Sequence, residues 1–274
     1  MTTSVFRRSR PTSHAALAAL SLLGAVPIWW MLVSSLRAPA DLFAVDLFPA
    51  HPTLANYRAV LAAIPMLRML GNTLVVASAV TVCQLLTALF AAYAFARWRF
   101  PGSGLLYGAI AVTWLVPFQV TMIPNYVLLA HWQLLDSLAA LVIPHLASAF
   151  AVMLLTQSMR SFPRALIEAA RLDGAGELGV LFRVAVPNLR AAIASLAILV
   201  FIGAWNDYLW PLLITRRPEN AVVQIGLQMF MTAEGNLWGP LMAASTMACL
   251  PILALYALLH RQVIESFTRS GLRG

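Results

Sequence analysis

Lysine is missing from all 274 residues, and the eighteen basic side chains are arginine. Its absence removes the Schiff-base nucleophile and the lysine of a phosphate-binding loop, so no G-x-x-x-x-G-K-[ST] motif can occur. Charge is scarce altogether: 10% of residues are charged and 61% are hydrophobic, at a mean hydropathy of +0.81. That composition does not build a water-soluble globule, and it places the chain in a bilayer. The net charge of +8 comes from arginines dispersed between apolar stretches, which form no dense basic face, so nucleic acid is excluded as a partner. Cys83 and Cys249 both sit inside apolar runs and read as packing residues, not as a disulfide or metal pair. His14, His51, His131, His145 and His260 lack metal-ligand spacing with a carboxylate, so they read as interfacial or packed, and no metal site is expected.

What is present is a set of long uncharged runs. A bilayer core about 30 Å thick takes about 20 helical residues. Six spans are expected, near residues 12–36, 70–96, 103–124, 139–158, 190–214 and 239–260, giving an all-α polytopic membrane protein with a single transmembrane domain. The third run reaches residue 135, too far for one span, and Pro117, Pro124 and Asn125 put its exit near Pro124, before a surface stretch to Asp136. The first run follows Arg7, Arg8 and Arg10 as a secretory signal would, but its apolar part exceeds a signal core of about 7–15 residues and reads as an uncleaved span. With the N-terminus inside, thirteen arginines fall on the cytoplasmic side and five outside (Arg37, Arg58, Arg68, Arg216 and Arg217), so both termini are expected to be cytoplasmic.

The inner segment 160–187 is long and amphipathic. Ser161 suits a helix N-cap region and Pro163 a first turn, good helix formers follow to Asp173, and Gly174 stands where a left-handed stop belongs. Beyond it, Leu178, Leu181, Phe182 and Ala185 form one apolar stripe at helical spacing. Glu168 and Arg171 are spaced to pair, and Ala169 and Ala170 leave a shallow surface that another protein can approach. Two readings stand on these residues alone: a helix pair resting on anionic headgroups, or a docking surface.

Residues 168–187 read EAARLDGAGELGVLFRVAVP, which resembles the cytoplasmic loop motif of ATP-binding-cassette importer permeases. Glu168, Ala169, Ala170, Asp173, Gly174, Ala175, Phe182 and Pro187 occupy the motif's positions in one register. LANY at 54–57, Asn72-Thr73, AFARWRFPG at 94–102, WNDYLWPL at 205–212 and the glycine-bounded ending at 271–274 are similar to the carbohydrate branch, in particular the shorter permease of a maltose-permease-type pair. The resemblance implies a bacterial inner-membrane subunit that binds no cofactor itself. Its implied partners are a second permease, two ABC ATPase subunits carrying ATP and Mg, an extracytoplasmic solute-binding protein, membrane lipid and a sugar substrate. Glu168, Ala169, Ala170, Asp173 and Gly174 are then the ATPase-coupling surface.

Asp207 is the one acid inside an expected span, where a carboxylate costs about 2.5–3.5 kcal/mol at the bilayer centre. Trp205, Asn206, Asp207 and Tyr208 are either an interfacial aromatic belt with packing residues or a pore-facing cluster, in which rings stack on sugar and Asn206 and Asp207 accept hydroxyl hydrogen bonds. Gln224, Gln228, Glu234, Gly235 and Asn236 are candidates for contact with the binding protein, with a merely solvated connection equally open. An ion-coupled secondary transporter would keep more titratable groups near the midplane than this lone acid. An intramembrane enzyme finds no nucleophile, histidine and acid arrangement around Gly102-Ser103-Gly104.

Overall fold

A computed structural model describes residues 11–43, 46–232 and 235–271. Its helices are α1 (Pro11–Ser35), α2 (Ala55–Ala63), α3 (Met66–Arg97), α4 (Ser103–Thr113), α5 (Phe118–His131), α6 (Leu138–Val142), α7 (Ala149–Arg160), α8 (Arg164–Leu172), α9 (Glu177–Gly179), α10 (Val186–Asn188), α11 (Arg190–Trp205), α12 (Leu209–Ile214), α13 (Val223–Gln228) and α14 (Trp238–Gly271). Two-residue strands β1 (Met231–Thr232) and β2 (Gly235–Asn236) pair antiparallel, with Met231 opposite Asn236. The expected all-α membrane architecture is present: α1, α3 and α14 are long and apolar enough to cross a bilayer singly, and three bent pairs bring the number of possible spans to six.

The bends have local causes. Between α4 and α5 the chain turns by 94°, at Trp114–Pro117 and not near Pro124, which lies inside α5. Pro117 is extended (φ −61°, ψ 136°) and disfavours helix at the residue before it, so α4 stops and α5 restarts. Between the 3-10 turn Ile143–His145, which contains Pro144, and α7 the axis bends by 49°. Ser137 and Ser148 cap the two helix starts by accepting from the N–H groups of Ala140 and Ala151.

Packing divides the chain into two compact units. The first comprises Met1–Ile64 and Leu227–Cys249. Its organising residue is Asn56 of the LANY segment, whose buried amide donates to the carbonyls of Ser35 (3.0 Å) and Arg37 (2.8 Å) at the end of α1. Gly239 approaches so closely that a Cβ there would lie 2.5 Å from the Asn56 Oδ1. The second unit comprises Pro65–Gly226 and Leu250–Gly274. In it α3 packs along α7 and α11, its fully buried Ala77, Ala88 and Ala92 allowing close helix approach. One core joins α3, α7, α11 and segment 160–187, and a second joins α3, α5, α6 and α12 around Trp210, whose indole N–H donates to the Ala140 carbonyl at 3.0 Å. The Asn72-Thr73 pair ties α3 to the loop before α13: Asn72 donates to the carbonyls of Glu219 and Ala221, and Thr73 Oγ accepts from the Val223 N–H at 2.8 Å.

Candidate functional site: an exposed helix knob and a cavity at the helix breaks

The knob is α8. Nine residues are too few for a stable isolated helix, so tertiary contacts hold it. Phe162 and Ile167 are buried in the core shared with α3 and α7. Pro163, extended, precedes the first turn; at the other end Gly174 takes φ +82°, with its N–H on the Arg171 carbonyl and the Ala175 N–H on the Ala170 carbonyl, both 3.0 Å. These two bonds form a Schellman stop, which needs a left-handed residue at Gly174. Glu168, Ala169, Asp173 and Gly174 are exposed, Ala170 is half-buried, and Leu172 at 88% exposure stands out as an unpartnered apolar tip.

Arg171 does not pair with Glu168. It reaches across the turn to Glu177 at 2.8 Å, and the Tyr93 hydroxyl donates to the other Glu177 oxygen at 2.6 Å. The Gly174 reversal brings Glu177 back toward the helix, so the ion pair follows the turn and not the helical spacing. Glu177 thereby links α8 to the span α3. Glu168 lines a cleft of about 630 Å³ with Arg97, Arg99, Arg160 and Arg171.

The stripe expected after Gly174 is only half formed. Leu181 and Ala185 are buried while Leu178 and Phe182 are exposed, with Phe182 meeting Phe90 edge-on at 6.0 Å. The cause is a π-helix over Val180–Ala185: its wider turn aligns Val180 with Ala185, so Val180 takes the buried place.

Where the spans break, a cavity of about 340 Å³ opens within the second unit. Phe118, His145 and Asp207 line it, each at or beside an interruption of a helical pair, together with Gln84 and Gly203. His145 Nε2 stands 3.8 Å from Asp207 Oδ2 and makes no hydrogen bond, while Gln84 donates to the His145 carbonyl at 2.9 Å. The Phe118 ring lies 4.5 Å from the imidazole and edge-on to Trp210. Of the four residues expected at a pore, only Asp207 lines this cavity. Trp205 is 1% exposed and stacks on Phe201; Asn206 is exposed and bonds the Ile202 carbonyl; Tyr208 is half-buried. Sequence reading missed His145, Gln84 and Phe118, although a histidine after Pro144 and a glutamine inside an apolar run were signals of a helix break and of polarity at depth.

Outside the spans, Asp136 (φ +56°) is a latch. Its carboxylate accepts from the N–H groups of Arg216 (3.0 Å) and Arg217 (3.2 Å) and from the Arg217 guanidinium (2.5 Å). Burial pushes this carboxyl up, but the Arg216 N–H and the Arg217 donors outweigh it and hold it down at about 2. Nearby, Gln224 donates to the Asn206 side chain at 3.2 Å. Gln228 and Gly235 are exposed in the first unit, Asn236 sits in β2, and Glu234 lies outside the described residues.

A chain of bent apolar helices carrying an exposed, rigidly stopped helix between two spans is a polytopic permease. The family profile of the binding-protein-dependent transport system inner membrane component matches residues 84–268, and the chain belongs to that family. It is a membrane-spanning permease subunit of an ABC importer. It is similar to the arabinooligosaccharides transport system permease protein AraQ of Bacillus subtilis, 29% identical over 260 residues covering 93% of this chain and 92% of that one. The putative ABC transporter permease protein ORF1 of Streptomyces antibioticus is 36% identical over 227 residues, 82% of this chain and 99% of the relative. The sn-glycerol-3-phosphate transport system permease protein UgpE of Yersinia enterocolitica is 33% identical over 204 residues, 74% and 73% of the two chains. The fold is that of a chain in the crystal structure of a bacterial ABC transporter involved in the import of the acidic polysaccharide alginate, with TM-score 0.80 at 23% identity over 91% of this chain and 94% of that one.

Proposed function

We propose that this chain is one half of the translocation pathway of a bacterial inner-membrane importer for a sugar or sugar-like solute. It works beside a second permease, above two ATPase subunits that bind ATP and Mg, and below a solute-binding protein. Both termini and segment 160–187 face the cytoplasm, and six spans make a single permease domain, the fifth formed by α11 and α12 beyond that segment. The carbohydrate assignment is supported by relatives named for arabinooligosaccharides and sulfoquinovosyl glycerol transport. The observation that carries the coupling role is the exposed, Schellman-stopped α8, linked to α3 through Arg171, Glu177 and Tyr93. Glu168, Ala169, Ala170, Asp173 and Gly174 seat on the ATPase, whose closure drives the attached spans between inward- and outward-open states. The substrate passes the 205–208 segment at Asp207, and Gln224, Gln228, Glu234, Gly235 and Asn236 meet the binding protein.

Uptake in vesicles should require internal ATP and a separate solute-binding protein. Glu168→Lys and Gly174→Asp should leave the protein in the membrane yet abolish both uptake and substrate-stimulated ATP hydrolysis. Wild-type uptake by either variant contradicts the coupling role.

A further inference from the structure

We propose that Asp207, His145 and Gln84, with Phe118, form a subsite for an uncharged polyhydroxylated ligand, so that this half of the pathway favours neutral sugars over anionic ones. The inference rests on the sugar-importer reading above. Three helix interruptions converge on the site, which is how membrane proteins place unsatisfied polar groups around a solute at depth. His145 Nε2 is buried without a hydrogen-bond partner, and such a group calls for one. At 3.8 Å from Asp207 Oδ2 it is beyond direct bonding, but one ligand hydroxyl can accept from Nε2 and donate to the carboxylate once the partly exposed imidazole and Asp207 side chains turn toward the cavity. Phe118 offers a ring beside that point, held by the imidazole and Trp210, against which the apolar face of a sugar can lie. The cavity's 340 Å³ accommodates one such ring.

The charge balance sets the preference. Among the described residues Asp207 is the one acid and His145 the one base lining the cavity, and no arginine lines it. Whether the two form an ion pair or are both neutral, they offer no net positive charge, so a phosphate or carboxylate ligand is desolvated there without compensation. A neutral polyol satisfies both groups.

Gly203 lines the cavity, and a Cβ there meets nothing within 4 Å, so Gly203→Cys in a Cys83→Ala, Cys249→Ala background supplies a reporter thiol. In the assembled importer in proteoliposomes, arabinotriose, maltose or sorbitol should slow the reaction of that thiol with a charged methanethiosulfonate, which forms a mixed disulfide and releases methanesulfinate, saturably, while glycerol 3-phosphate at equal concentration does not. The shape-preserving Asp207→Asn and His145→Gln should each raise the half-protecting concentration about tenfold, the effect of losing one charge-assisted hydrogen bond. No protection by any of the three neutral probes, equal protection by glycerol 3-phosphate, or protection unchanged in both variants overturns the proposal. The comparison of neutral with anionic probes needs only the reporter, so poor folding of a variant does not rescue it. Protection without ATP-driven uptake would sink the importer reading and leave the subsite; ATP-driven sugar uptake without protection would do the reverse.

Discussion

Asp136 holds more of the chain around residues 214–220 than its size suggests. Its usual value of 3.8 is lowered to about 2, so the hydrogen-bonded carboxylate contributes stability that is fully present above pH 3.8 and lost as pH falls through about 2. Amide exchange at Arg216 and Arg217 should therefore stay slow from neutral pH down to about 4, relative to the intrinsic rate, and lose protection toward pH 2; Asp136→Ala should lose it at neutral pH, at a cost of only about 0.5–1.5 kcal/mol because water replaces the carboxylate at these exposed donors. Unaltered protection in that variant contradicts the latch. Trp205, read from sequence as a possible stacking platform, is a packing residue, since an indole stacked on Phe201 at 1% exposure presents no face to a solute. Trp205→Ala should lower stability by about 3–5 kcal/mol, seen as a fall in melting temperature of the purified complex, and a wild-type melting temperature would refute the packing role. At this scale the sequence revealed Asp207 through its charge in an apolar run, but not His145, because nothing local marks two residues on different spans as neighbours.

Elements were legible where a local rule acts alone. Pro163 and Gly174 bracket α8 because one fixes φ and the other tolerates φ +82°, conditions that depend on no neighbour. Gly174→Ala, with no clash at its Cβ, should cost only the left-handed strain of about 1–2 kcal/mol. It should leave uptake partly intact where Gly174→Asp abolishes it; full loss in Gly174→Ala, measured as initial uptake rate, would show that the turn tolerates no side chain. What was not legible depends on packing. A period of 3.6 was assumed for residues 178–185, and the π-helix over Val180–Ala185 replaced it, because the segment must bury Val180 and Ala185 against α3 and α7. Pro124 looked like the end of a span, yet α5 runs through it and the turn is made at Pro117, where the preceding residues can leave the helix together.

For the whole molecule, a helix stopped at both ends and bound to α3 by Glu177 can transmit force only if it stands on the side where nucleotide is hydrolysed. Dispersed arginine supplies the orientation argument, and the exposed tip at Leu172 supplies a place to measure it. With Cys83→Ala and Cys249→Ala, a Leu172→Cys thiol should react with a membrane-impermeant maleimide in inverted vesicles but not in intact spheroplasts, and it should be shielded when the ATPase subunits are bound. Labelling from the outer face, or labelling that the bound ATPase leaves unchanged, would contradict the account.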